Sequence, residues 1–151
     1  MSATNINAPT APTIATLQAE VQQLRAELAM KDALLENYPG VVYRCYNDVY
    51  WTTVYVSRGI EALTGYSPDD FVLRNKTNYT DLIHPDDREA VDEAVQHALA
   101  THQPFFVTYR IITATGEQKW VFEQGWQAQP DDSGNVMLEG YITDITNRRQ
   151  A

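Results

Sequence analysis

The hydrophobic positions of this chain change period as it runs. Ile14, Leu17, Val21, Leu24, Leu28 and Leu35 recur at alternating steps of three and four, with Lys31 interrupting the seam. That spacing predicts an amphipathic, coiled-coil-like helix over 14–37, whose narrow seam suits a partner helix. Pro39-Gly40 closes it, because proline disfavours helical geometry in the residue before it. From Val41 the period drops to two. Val41 to Tyr46 and Trp51 to Val56 read as a hairpin around Asn47-Asp48. Ser57 is expected to cap a short helix, Arg58 to Leu63, closed by Gly65. Ser67, Pro68 and Asp70 fall at the N-cap, first and third positions of a further helical turn. His84-Pro85-Asp86-Asp87 opens the longest helix of the domain, to about Thr101, and its two aspartates read as caps. Val91, Ala94, Val95, Ala98 and Leu99 form the apolar stripe of that helix.

The last third reads as a three-strand antiparallel meander. Phe105 to Ile112, Lys119 to Glu123 and Leu138 to Thr146 alternate, with turns at Thr115-Gly116 and Asp131 to Asn135. Trp120, Phe122 and Trp126 share one face, while Val121, Glu123 and Gly125 share the other. Leu138 and Ile142 lie on one side of the last strand, and Met137, Tyr141 and Ile145 on the other. A sheet apolar on both sides needs cover on both. The central helices can supply one layer, and the N-terminal helix or a second subunit the other. The chain stops soon after Asp144-Ile145-Thr146, where a new helix could start. That arrangement is expected of an input module separated from its output.

Charge and composition narrow the function. Twenty acidic residues against eleven basic ones give a net charge of −9, with the acid concentrated between Asp69 and Glu93. Such a surface repels phosphate backbones, so no nucleic-acid partner is expected. No apolar run approaches the roughly 18 residues of a membrane helix, so no membrane partner is expected either. Residues 1–13 have the composition of a disordered tail and lack the order of a signal peptide, which points to the cytoplasm. The lone cysteine, Cys45, excludes an internal disulfide and a cysteine-based metal cluster. No nucleophile–base–orienter pattern, phosphate loop or metal-ligand cluster is present, so no enzymatic activity and no metal are expected.

Several motifs then fall in a specific order. Trp51 with Val56-Ser57 comes first, followed by Gly59-Ile60-Glu61-Ala62-Leu63-Thr64-Gly65-Tyr66 and Ile83-His84-Pro85-Asp86-Asp87. Tyr109-Arg110-Ile111, Gly116, Lys119-Trp120-Val121, Glu139-Gly140 and Asp144-Ile145-Thr146 complete the series. In that order they resemble PAS domains, the sensory modules found ahead of histidine kinases and cyclic-dinucleotide enzymes. The resemblance implies an α+β fold over 38–147: a five-stranded antiparallel sheet in order 2-1-5-4-3 with short helices on one face, preceded by the amphipathic helix. Residues 148–151 would begin an output linker. It also implies signal transduction through a kinase or cyclic-dinucleotide output domain, with a small ligand between helices and sheet, or a ligand-free module used for interaction or dimerisation.

Candidate residues follow. Leu17, Val21, Leu24 and Leu28 would form a homodimer seam. Asp144, Ile145 and Thr146 would form the signal junction, since Asp or Thr there can cap an outgoing helix and Arg148 or Arg149 could pair with Asp144. Tyr55, Asn75, Asn78, Tyr79, Arg110, Glu123 and Thr143 could recognise a small polar ligand. Arg110 and Glu123, on adjacent strands, also suit a cross-strand ion pair that needs no ligand. The cofactor stays unidentified. A covalent flavin sensor of the family carries a reactive cysteine in an Asn-Cys-Arg-Phe-type motif. The matching stretch, Leu73-Arg74-Asn75-Lys76-Thr77-Asn78-Tyr79, has none, and Cys45 reads as a small apolar strand residue. Haem needs an axial ligand, yet His97 points roughly 130° from the apolar stripe of its helix. His102 lies near the helix end, and His84 sits before its first turn. Neither haem nor covalent flavin chemistry is expected.

Overall fold

The computed structural model describes residues 11–147. The expectations for residues 1–10 of the tail, for 148–151 and for Arg148 and Arg149 lie outside them. The chain divides into two compact units, one running to Leu34 and one from Leu35. The first is built on α1 (Ile14–Asn37), which has the span that the three-and-four spacing predicts. Thr13, just before it, accepts the Thr16 N–H through Oγ1 at 3.1 Å, an N-cap arrangement. No α1 residue is buried. Leu17, Val21, Leu24 and Leu28 are between 44% and 63% exposed.

The second unit runs β1 (Val41–Tyr46), β2 (Thr53–Val56), α2 (Gly59–Thr64), α3 (Pro68–Phe71), α4 (Tyr79–Leu82), α5 (Arg88–Thr101), β3 (Phe105–Ile112), β4 (Gln118–Ala128) and β5 (Met137–Asp144). The strands form one antiparallel sheet in the order β2-β1-β5-β4-β3, as the resemblance implies. Strand alternation turns Val41, Tyr43, Cys45, Tyr109, Val121, Leu138 and Ile142 to one face. They bury there against Ile60, Phe71, Leu82, Val91 and Val95 of the helical segments. The other face carries Phe106, Phe122, Trp126 and Tyr141, with Phe106 stacked on Phe122 at 6.5 Å.

Local chemistry departs from expectation at three places. β2 begins at Thr53 rather than Trp51. The Asp48 carboxylate accepts the N–H groups of Tyr50 and Thr52 and the Thr52 hydroxyl, so the chain makes a longer anchored loop before it extends. Ser57 does not cap α2. Its hydroxyl instead accepts the Val42 N–H at 2.9 Å and fastens the helix entry to β1. Asp87 does not cap α5 either, because its carboxylate is committed elsewhere. At α3 Ser67 is the N-cap and Pro68 the first residue, as expected, and Asp70 Oδ2 accepts the Ser67 N–H at 3.0 Å in a capping-box arrangement.

The expected Arg110–Glu123 ion pair is also absent. Register places Arg110 opposite Trp120 and Glu123 opposite Val107, so the two side chains leave opposite faces of the sheet. Arg110 lies on the edge strand and turns round that edge to Asp87. Its Nη2 donates to Asp87 Oδ1 at 2.7 Å, and its Nε and backbone N–H donate to Oδ2 at 3.0 and 2.8 Å. This clamp ties the start of α5 to β3 and holds the Asp87 carboxyl below the usual aspartate range.

Candidate site: a buried carboxylate among three tyrosines

Glu123 sits in the middle of β4, on the helix-covered face, and is only 9% exposed. An ionised carboxylate there needs donors. Two phenols supply them from both sides. Tyr109, on neighbouring β3, donates to Oε1 at 2.5 Å. Tyr43 donates to Oε2, and it does so from β1, across the whole width of β5. That reach depends on Gly140, the β5 residue opposite Tyr43. A Cβ on Gly140 would lie 2.7 Å from the Tyr43 hydroxyl, so the missing side chain is the passage the phenol uses. Gly125, two residues beyond Glu123, yields the same kind of space to the ring of Phe105.

The network continues into the helical layer. The Tyr79 hydroxyl of α4 lies 2.9 Å from that of Tyr109. Tyr109 has one phenolic proton, and while it serves the ionised Glu123, Tyr79 must be the donor of the second bond. Burial drives the Glu123 carboxyl above the usual range, and the two phenol hydrogen bonds only partly offset it. Burial, reinforced by the Glu123 charge, pushes Tyr43, Tyr79 and Tyr109 upward as well. The Cys45 thiol is raised by burial first, then by Glu123 and Asp48, so it stays protonated and weakly nucleophilic.

A cavity of about 40 Å³ opens beside this cluster. Tyr43, Cys45, Trp51, Thr53, Phe71, Tyr79, Phe105 and Glu123 line it together with aliphatic side chains of both layers. It is far below the roughly 300–1,000 Å³ of pockets that enclose drug-sized ligands. As shaped, it does not fit a flavin or a haem, and none of the three histidines lines it. Among the described residues no group of three or more His, Cys, Asp or Glu side chains could hold a metal ion. What the site can do is hold a proton, or hold a very small guest by hydrogen bonds and charge.

Of the seven ligand candidates, the fold brings only Tyr79 and Glu123 to this cavity. Tyr55 is 36% exposed on the opposite face of the sheet, where it borders a groove with Tyr38, Trp126 and Tyr141. Thr143 sits on that face too, opposite Phe122. Asn75 is exposed and donates to the Asp69 carbonyl at 3.2 Å. Asn78 accepts from Arg74 and donates to Asp81. Arg110 belongs to the Asp87 clamp. Tyr43, Tyr109 and Gly140 were missed. Their signal was present: one acid between Val121 and Gly125 on its strand face, with tyrosines on the matching faces of two other strands.

At the end of β5 the residues of the expected junction bond to one another and to β4. Asp144 Oδ1 accepts the Thr146 N–H at 2.9 Å and the Thr146 hydroxyl at 2.6 Å. Thr146 Oγ1 accepts the Trp120 N–H at 3.0 Å, and the Ile145 N–H donates to the Trp120 carbonyl at 2.9 Å. Among the described residues no helix is long and apolar enough to cross a membrane.

Comparison with known proteins agrees with this geometry. A family model described as the PAS fold matches residues 53–142. A methyl sulfide methyltransferase-associated sensor of Methanosarcina acetivorans is 32% identical over 102 residues, which is 67% of this chain and 10% of that protein. A blue-light-activated histidine kinase of Brucella ovis is 25% identical over 138 residues, 87% of this chain and 27% of that protein. The chain therefore spans about a tenth and about a quarter of these two relatives. Among solved structures, the N-terminal domain of a diguanylate cyclase with PAS/PAC sensor from Marinobacter aquaeolei superposes with a TM-score of 0.59 at 22% identity. That match covers 73% of this chain and 98% of that one.

Proposed function

The chain belongs to the PAS fold family, and from that premise we propose that it is the sensory module of a signalling protein. A small guest enters the Glu123 cavity and biases the state of whatever follows Thr146. One observation carries this reading: a single strand serves both places. Glu123 meets the cavity from β4, and Trp120, three residues earlier on the same strand, holds Ile145 and Thr146. A guest that favours one position of β4 over another shifts the balance between two junction states by its difference in affinity for them. Close packing of the sheet leaves little slack to absorb such a shift.

The output proposed is a histidine kinase or a cyclic-dinucleotide enzyme, as in the relatives named above. Such outputs draw on intracellular nucleotides, which supports a cytoplasmic module. The chain catalyses nothing itself. It pairs with a second copy through Leu17, Val21, Leu24 and Leu28, whose apolar surface is otherwise wetted. A second reading, a dimerisation module without a ligand, draws support from the small cavity and the same exposed seam.

Native mass spectrometry of gently purified protein, followed by thermal melts against small molecules, separates the two. A retained guest, or a melting shift that Glu123→Gln removes, supports the sensory reading. An empty cavity with no response to any guest favours the second.

A further inference from the structure

Resting on the sensory reading, and naming the ligand class of the same site, we propose that the Glu123 cavity takes a small primary ammonium ion, with methylammonium as the best fit. Tyr43 and Cys45 of β1, Tyr79 of α4 and Tyr109 of β3 are the titratable groups around Glu123, and none of them is cationic. No lysine, arginine or histidine lines the cavity. A buried carboxylate without a cation is costly, and a cationic guest supplies what the protein does not.

Hydrogen-bond valence points the same way. A carboxylate offers about four acceptor sites, and the two phenols fill one on each oxygen. The remaining sites accept and cannot donate, so a guest rich in N–H groups completes the shell. An anionic guest would be repelled. The walls suit the rest of the molecule, since Trp51, Phe71, Tyr79 and Phe105 place aromatic surface around the cavity. Such rings attract an ammonium and pack against a methyl group.

Size sets the upper limit. Water needs about 10–15 Å³ of such space, so a cavity of about 40 Å³ has room for about three non-hydrogen atoms. Methylammonium fits that space, and tetramethylammonium exceeds it. Where Glu123 starts as the neutral acid, the guest keeps its N–H protons and the carboxyl proton leaves to solvent. Apparent affinity then rises with pH until Glu123 is ionised.

The test uses the whole chain and methylammonium chloride at constant ionic strength, read by thermal melting and by NMR of carbon-13-labelled methylammonium. Sodium, acetate, methanol and tetramethylammonium are the comparison arms. Methylammonium alone should raise the melting temperature saturably, with methyl contacts to the rings of Tyr79 or Phe105. Glu123→Gln should weaken its binding by about tenfold or more. If that variant does not fold, the ring contacts and the failure of tetramethylammonium to displace the guest from wild type decide. Equal stabilisation by sodium reduces the effect to salt and overturns the proposal. Equal binding of methanol or acetate overturns the ammonium class while leaving a sensory cavity in place. Failure of every guest, in these arms and in the wider screen, removes the ammonium proposal together with the sensory reading and leaves the ligand-free dimerisation module.

Discussion

Replacing Gly140 with alanine tests whether Tyr43 reaches Glu123 through the gap that glycine leaves. The new Cβ would lie 2.7 Å from the Tyr43 hydroxyl, 2.4 Å from the Gln124 carbonyl oxygen and 2.8 Å from the Gly125 Cα. Two of those three atoms are backbone of the neighbouring strand, so β4 and β5 must part and the phenol must shift as well. Overpacking of this kind costs about 1–3 kcal/mol. Displacing the phenol also strips the carboxylate of one of its two donors, worth about 1.5–3 kcal/mol for a bond to a charged group. The expected total is about 2.5–6 kcal/mol, a large part of the roughly 5–15 kcal/mol that holds a typical domain folded. Urea unfolding followed by tryptophan fluorescence measures it. Tyr43→Phe isolates the hydrogen-bond share. Gly140→Ala made in that background should then cost less than it does in wild type, because the bond is already gone. A Gly140→Ala protein within about 0.5 kcal/mol of wild type, the usual range for a neutral surface change, would refute the passage.

Burial raises the Glu123 carboxyl, so its stabilising contribution is complete below the unfolded value of about 4.3. That contribution is lost as pH rises through the folded value. Wild type should therefore lose stability relative to Glu123→Gln over that rise, and parallel melting profiles would contradict it. Asp87 is shifted the other way by Arg110, so its contribution is present above about 3.9 and fades as pH falls through the lower folded value. Asp87→Ala should cost about 1–2 kcal/mol at neutral pH for a half-exposed clamp, read by urea unfolding, and wild type should lose that advantage in acid. Leu24→Asp should give a monomer by sedimentation at low micromolar concentration, because it buries a charge in the α1 seam. A dimer that persists would move the interface off that helix.

Periodicity exposed much of this fold because each element is patterned by one local rule. The α1 span follows from its three-and-four spacing, the α3 cap from Ser67, Pro68 and Asp70, and the meander from alternation and turns. The strand order came from family resemblance, since no local pattern states which strand lies beside which. The site was less legible for the same reason. Glu123 meets Tyr43 only because β5 lies between β1 and β4 and carries glycine at 140. That meeting joins residues far apart in the chain. The Arg110–Glu123 pair failed on register: with the turn near Thr115, position 110 opposes 120, and 123 points through the other face. Polar type alone nominated Asn75, Asn78, Tyr55 and Thr143. It could not tell the covered face of the sheet from the other, or a loop from a cavity wall.

In the sensory reading the Glu123 cavity and the Thr146 junction act through one strand. Amide hydrogen exchange in wild type and Glu123→Gln tests it most directly. The amides to watch are Trp120, which donates to Thr146, and Ile145, which donates to Trp120. Protection at both should change along with that of the residues around the cavity. If the cavity residues change while Trp120 and Ile145 exchange as in wild type, the site and the junction are not coupled through β4.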